Sequence, residues 1–414
     1  MQTTTFKTYG VCWFLFMAPF SACTLYFKNI EYVTLFVSIF LLFLGGSHKY
    51  IKINTFCKHV CLLFYLPIVA SIPWAIIKMG FVNDVAYYDY ISSKFISRIV
   101  HYLLFFLILY ESLQADKFTP SHFKRFLMSY GIGIFVILGL MGFWQVLHQL
   151  TGVWCPELET RDALYFARSL GFNRVTSFAD EPSFLAPFLI DGILIFCYLK
   201  KYILSIALLI LLAFSMSFGG FCEIFVLGSI YLLYSNNKVR LYSICGVILI
   251  ILVLVFAFPE LTEIVQVMID SRKELQSGFD VDDTGRTAML IQPLVKYINN
   301  DVISLIFGAG PASLYYLYQD GNSDMLFGTS NNFFVDMLYE GGIVSIICFC
   351  VFLLYVWRKV SNSSNIIPKL FICHLILSSL YRADYASTRY TAIFIIIFCF
   401  LTLNNNSNIR KLVP

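Results

Sequence analysis

The chain has 414 residues, of which 59% are hydrophobic and only 13% charged; 29 Lys and Arg against 25 Asp and Glu give a formal net charge of +4. A soluble protein of this size could not cover its surface with so few charges, since the usual charged share is about 25%. A charge of +4 over this length also makes no dense basic face for nucleic acid, so the chain reads as a polytopic membrane protein.

About twelve apolar stretches follow one another, near the roughly 20 residues that a spanning helix needs. They fall at 9–27, 30–46, 59–79, 95–113, 125–149, 183–199, 202–218, 219–235, 241–258, 333–357, 369–381 and 389–403. The first follows only Lys7 and has no small-residue cleavage site after it, so it reads as a retained helix. Lys and Arg crowd alternate connections: Lys49, Lys52 and Lys58; Lys117, Lys124 and Arg125; Lys200 and Lys201; Lys238 and Arg240; Arg358, Lys359 and Lys369; Arg410 and Lys411. By the positive-inside rule these connections and both termini are cytoplasmic. Two connections on the outer side are long, 150–182 and 259–332. The second is too long to be structureless; helix-like stretches at 260–276 and 287–299 and a turn at Gly308-Ala309-Gly310-Pro311 predict a folded cap. The expected fold is all-α. Helices one to five occupy 1–149, a loop 150–182, helices six to nine 183–258, the large loop 259–332, and helices ten to twelve with the tail 333–414.

Most of the twelve cysteines sit in apolar runs, Cys197, Cys245, Cys348, Cys350 and Cys399 among them, where free thiols act as small hydrophobes. Cys57, His59 and Cys61 lack the spacing of common zinc pairs, and no histidine falls in the two long loops, so no metal site is expected.

The first loop carries Arg161, Arg168 and Arg174 on the side where arginine is scarce, and ends in Asp180-Glu181-Pro182-Ser183. The planar guanidinium fork suits phosphate oxygens; the alternative is pairing with the loop acids Glu157, Glu159 and Asp162. Pro182 and Ser183 make a helix start. Glu181 is then either a residue favoured by the helix N-terminus or an acid-base group at a cavity mouth. The second loop carries Gly285-Arg286 and ends in Asn331-Asn332. Asn332, Asp336 and Glu340 follow at i, i+4 and i+8, one face of an otherwise apolar helix. Intramembrane carboxylates are functional candidates; the alternative is a polar seam paired to another helix, which Gly341-Gly342 would let approach. Asp191 and Arg98 are further intramembrane charges and candidates to pair with each other. Tyr315 and Tyr316, with Tyr318, are either a sugar-stacking surface or interfacial aromatics.

Four pieces in this order resemble the O-antigen polymerase (Wzy) family, within the group that includes the O-antigen ligases. They are Arg174 through Glu181-Pro182-Ser183, Gly285-Arg286, Phe307-Gly308-Ala309-Gly310, and Asn331-Asn332-Phe333-Phe334 running to Glu340-Gly341-Gly342-Ile343. The pattern covers roughly 174–345, and the two long outer loops fit the family's topology. The resemblance implies a GT-C-like membrane glycosyltransferase of the bacterial inner membrane, with its site facing the periplasm. It implies lipid-linked substrates on undecaprenyl pyrophosphate, a chain-length-regulating co-polymerase as partner, and no cofactor. Arg174 and Arg286 would clamp the pyrophosphate with Arg168 and Arg161 in support, Glu181 would be the base with Glu340 or Asp336 second, and Asn331, Asn332, Tyr315 and Tyr316 would hold substrate.

Two departures matter. Many ligases have a histidine where this chain has Asn331, which favours a polymerase. Relatives often carry Ser-Arg near 215–221, where this chain reads Ser215-Met216-Ser217-Phe218-Gly219-Gly220. The rivals are an O-antigen ligase and, from another class, a lipid-linked oligosaccharide flippase. A flippase would show internal repeats and matching broken helices in two halves, and the sequence has neither.

Overall fold

A computed structural model describes residues 2–45, 54–81, 90–113, 118–156, 174–235, 286–314, 330–361, 363, 365–383 and 387–411. The described residues form helices and connecting turns, with no strand among them. Chain order gives α1 (Gln2–Met17), α2 (Thr24–Leu44) and α3, which runs from Thr55–Val60 through a π-turn at Cys61–Tyr65 into Leu66–Phe81. A π-turn at Tyr90–Phe95 opens α4 (Ile96–Ser112), and a third, at Ile134–Gly139, joins Pro120–Gly133 to Leu140–Thr151 in α5. Then come α6 (Pro182–Tyr198), α7 (Tyr202–Ser215), α8 (Phe218–Tyr234), α9 (Arg286–Ile298), α10 (Val302–Phe307), α11 (Phe333–Ser361), α12 (Ile367–Ser379) and α13 (Thr388–Lys411).

Ten of the twelve expected apolar stretches each fall largely on one helix; 9–27 instead crosses the end of α1, a 3-10 turn at Ala18–Ala22 and the start of α2, and 241–258 lies outside the described residues. Among the described residues three helices, over Thr55–Lys78, Pro120–Thr151 and Phe333–Ser361, are long and apolar enough to cross a membrane; the apolar stretches of the others are shorter. The loop helix expected at 287–299 is α9, while the one expected at 260–276 lies outside the described residues.

Short polar residues start several of these helices by accepting the otherwise orphaned first N–H groups. Asn54 takes Phe56 N at 2.9 Å, Asp301 takes Ser304 N at 2.8 Å, and Asn332 takes Phe334 N at 3.0 Å. Between caps the sequences are too apolar to stand in water. Ile203 is 84% exposed and Phe225 75% exposed, side chains that a bilayer would cover.

The core is built on α6 and the first half of α13. Every residue from Leu185 to Phe196 is buried, as is every residue from Thr388 to Phe400. Around α6 pack α5, α7, α8 and α12, while α4 packs against α1, α2 and α13. Aromatic rings fill the α3–α11–α13 interface: Phe333 stacks on Tyr390 at 5.1 Å and Phe64 meets Phe394 edge-on at 4.9 Å. α1 and α5 touch backbone to backbone, because a Cβ on Gly133 would stand 2.2 Å from the Phe16 carbonyl oxygen. Helix ends expected on the outer side gather at one end of the bundle. There Asp180 N bonds Ala22 O at 3.1 Å, Thr388 Oγ1 bonds Ala18 O at 3.1 Å, and Asn332 Nδ2 bonds Leu380 O at 2.9 Å. At the other end Lys7 pairs with Glu111.

Candidate functional site

The site begins with the segment 174–181, which the bundle grips at several points. Val175 N donates to Phe214 O at 3.1 Å. Gln145 on α5 accepts from Thr176 N and Ser177 N at 3.2 and 2.8 Å, and Ser177 Oγ donates to Leu138 O at 2.6 Å. Ser177 itself has φ +57, which a serine tolerates only when its surroundings hold it there. The segment then turns into α6. Glu181 is extended at the N-cap position, with Pro182 following at N1. Its carboxylate accepts Ser183 Oγ at 2.8 Å. The expected helix start is present, with Glu181 half-buried at its N-cap position.

Arg174 reaches from this segment to the α7–α8 turn, where Nη2 donates to Met216 O at 3.4 Å. Met216 is left-handed, at φ +47. This is the turn that lacks the relatives' arginine, and Arg174 brings a guanidinium to it. A Cβ on Gly220 would stand 2.8 Å from Ala186 Cβ, so the start of α8 lies against the first turns of α6. Arg174 and Glu181 therefore share one corner of the bundle.

A second guanidinium at this corner was not expected. Arg382, after α12, is buried; its Nη1 donates to Phe184 O at 2.7 Å, and its plane lies 4.5 Å from the Phe184 ring and 5.3 Å from the Phe188 ring. The sequence offered a signal: Arg382 follows an apolar stretch expected to end on the outer side, the same departure from the positive-inside bias that singled out Arg174.

The polar groups at the start of α11 are engaged. Asn332 caps the helix, its Oδ1 taking Phe334 N and Val335 N at 3.0 and 3.2 Å, while its Nδ2 donates to Leu380 O. Asp336 takes Ser330 N at 2.8 Å and the Ser330 hydroxyl, closing the turn before the helix. Asn331, at φ +56, is half-buried between them. Glu340 is buried, and Tyr102 on α4 lies within electrostatic reach of both Glu340 and Arg98.

Just past Glu340 the helix breaks at Gly342, whose φ of 67° and ψ of −176° belong to a region open essentially to glycine alone. A break frees carbonyls that must find donors in an apolar setting. The cap supplies them: Ala309 N donates to Tyr339 O at 2.9 Å and Gly310 N to Glu340 O at 3.0 Å. Gly308 has φ 89° and ψ 168°, and a Cβ there would stand 2.1 Å from Glu340 O; one on Gly342 would stand 2.3 Å from Ile306 O. Phe307-Gly308-Ala309-Gly310 and Glu340-Gly341-Gly342 thus form one contact, pinned from α3 by Trp74 Nε1 to Ser304 Oγ at 2.9 Å and by the Lys78–Asp301 pair at 2.6 Å.

Deeper in the bundle the structure corrects a pairing. Asp191 does not meet Arg98, because α4 packs against α1, α2 and α13, away from α6. Asp191 Oδ2 takes Arg389 Nε at 2.9 Å and Tyr130 Oη at 2.9 Å; Asp191 Oδ1 lies 2.8 Å from His374 Nε2. His374 Nδ1 faces Glu223, which also takes Tyr381 Oη at 2.5 Å. Each imidazole nitrogen thus meets a carboxylate, and Arg389 Nη2 also stands 3.1 Å from His374 Nε2, so the four side chains form one network. Arg98 lies within electrostatic reach of Glu31 instead.

Arg161, Arg168, Tyr315 and Tyr316 lie outside the described residues. Arg286 opens α9, which packs on α11 with Met289 clustered against Tyr339, but the Arg286 side chain is outside the description. Among the described residues no group of three His, Cys, Asp or Glu side chains is set to hold a metal ion.

A protein-family model described as O-Antigen ligase (Wzy_C) matches residues 203–350. The match runs from α7 to the middle of α11. It includes the Gly285-Arg286, Phe307–Gly310 and Asn331–Ile343 pieces and stops short of Arg174 and Glu181. It supports the O-antigen ligase and polymerase superfamily without separating its branches. No curated protein matches the chain.

Proposed function

We propose that this chain is an O-antigen polymerase, a membrane glycosyltransferase of the bacterial inner membrane. It moves a growing glycan from undecaprenyl pyrophosphate onto a repeat unit carried on the same lipid, at the periplasmic face, with both termini cytoplasmic. The observation that carries the reading is the family match over 203–350, which takes in three of the four motifs on the outer loop and α11. Asn331, standing where many ligases have a histidine, favours the polymerase over the ligase branch.

The chemistry asks for a base and for cations around a leaving diphosphate. The acceptor hydroxyl gives its proton to the Glu181 carboxylate as its oxygen forms a bond to the donor's anomeric carbon. The bond from that carbon to the pyrophosphate oxygen breaks, and the electron pair leaves on the pyrophosphate. Arg174 and Arg286 hold that charge, with Arg168 and Arg161 in support. Glu340 is the alternative base, and Asp336 belongs to its seam. Asn331, Tyr315 and Tyr316 contact sugar, with Asn332 beside Asn331 at the start of α11. The reaction needs no nucleotide, because both lipid-linked substrates arrive activated, and with no histidine in either long loop it uses no metal. Chain length is set with a separate co-polymerase.

The test is reconstitution of the purified chain in liposomes with lipid-linked repeat units alone. A polymerase builds a ladder from them; an O-antigen ligase makes product only when lipid A–core is added. Arg286→Ala should abolish the ladder while the protein stays in the membrane, and a normal ladder from that variant ends the clamp assignment. Glu181→Gln should slow turnover by about 100-fold or more, the usual scale of a lost general base, with substrate binding little changed. Activity lost to EDTA and restored by a divalent ion would overturn the metal-free reading.

A further inference from the structure

The segment Leu380-Tyr381-Arg382 joins parts of the molecule that lie far apart in sequence. It is folded tightly onto the end of α12, with Tyr381 N and Arg382 N both donating to Ser378 O at 3.3 and 3.0 Å. Each of its three residues then holds a different element. Leu380 O takes Asn332 Nδ2 at 2.9 Å, at the start of α11. Arg382 Nη1 donates to Phe184 O at 2.7 Å, three residues beyond Glu181. Tyr381 Oη donates to Glu223 Oε2 at 2.5 Å, on α8.

The Tyr381 bond ties this corner to the charge cluster. Glu223 is buried and is gripped from its other oxygen by His374, itself held by Asp191 and through it by Arg389. The Tyr381 ring lies flat against α8 where Gly219 leaves room, since a Cβ there would stand 3.1 Å from its Cγ. The phenol has therefore one fixed place and one buried carboxylate to bond. Asn331 precedes the residue that Leu380 holds and keeps a left-handed backbone at φ +56, a conformation that persists only when its neighbours fix it.

We propose that Tyr381 and Glu223 are positioning residues for the outer site: by fixing the 380–382 corner they hold Asn332, and with it set the place of Asn331, the residue that meets the lipid-linked sugar. Neither touches substrate. The proposal rests on the glycosyltransferase reading above and adds to it the route by which a carboxylate cluster inside the bundle serves a site at its end.

The experiment measures KM for the lipid-linked repeat unit in liposomes for Tyr381→Phe, Asn331→Ala and the double variant, each isolated as folded protein. Tyr381→Phe keeps the ring on Gly219 and loses only the bond. The proposal expects its KM to rise about tenfold. It also expects the double variant to match Asn331→Ala alone, since a lost contact no longer needs placing. A purely structural role lowers the yield of folded protein and leaves KM at the wild-type value, which would overturn the proposal; so would independent, multiplying effects in the double variant. Asn331→Ala with unchanged KM would instead remove Asn331 from the substrate site, and the proposal with it. A wild-type protein inactive on these lipids would overturn the glycosyltransferase reading itself. Glu223→Ala, isolated as folded protein, should resemble Tyr381→Phe; a wild-type KM in that variant would also sink the assignment.

Discussion

In the bundle core, Asp191, Glu223, His374 and Arg389 come from four different helices and are held by side-chain charge and hydrogen bonding. Where the cap meets α11, the contact is backbone on backbone, and the residues that make it possible are glycines. The first kind of joint tolerates no missing partner, because a buried charge left alone keeps its whole desolvation cost. The second tolerates no added atom, because the peptide planes are already in contact. One bundle thus uses charge to bind helices laterally and bare backbone to seat a loop on a broken helix.

Removing one partner from the core should have the largest effect. Arg389→Met leaves Asp191 buried and unbalanced, which typically costs about 3–5 kcal/mol. The expected outcome is a steep fall in folded yield and thermal midpoint in detergent, part of which Asp191→Leu restores in the double variant. Equal midpoints for wild type and Arg389→Met would mean that the cluster is not the lateral joint described.

Gly342→Ala should come next. Its φ and ψ lie in a region essentially closed to alanine, a penalty of about 1–3 kcal/mol before any clash with Ile306 O. The variant should unseat the cap, read as a lower midpoint and as protease cleavage within 286–314 that wild type resists. An alanine tolerated with unchanged cleavage would show that the cap does not dock through this contact.

The smallest effect belongs to the exposed anchor between α3 and the cap. Partial burial alone would raise the Asp301 carboxyl, but hydrogen bonds from Lys78 and Ser304 and the Lys78 charge outweigh it and hold the pKa down to about 2. Since an unfolded Asp titrates near ~3.9, this pairing contributes fully above that value and is lost as pH falls toward about 2. With Asp301 37% exposed the contribution is small. A modest change in Trp74 fluorescence over that acid range, absent in Asp301→Asn, is the expected result; an identical response in both would remove the anchor.

The apolar stretches were readable because about 20 consecutive apolar residues have few other uses, and the i, i+4, i+8 spacing placed Asn332, Asp336 and Glu340 on one face. The two glycine motifs were each readable as a turn and a close approach. That they approach one another was not, since only the folded chain brings Gly308 to Gly342. The core cluster was the least readable part. Asp191 lies 183 residues from His374 and 198 from Arg389, and choosing its partner requires knowing which helices are neighbours. Without that knowledge Arg98 was as good a candidate, and Arg382 passed unnoticed although its position carried the same charge anomaly as Arg174.

The ion pair between Lys7 and Glu111 sets a condition on biosynthesis. The two residues are 104 positions apart, so at about 5–20 residues per second the ribosome needs roughly 5–20 seconds to deliver the carboxylate after the ammonium. During that interval the Lys7 ammonium has no Glu111 to meet, and the salt bridge dates from the arrival of α4.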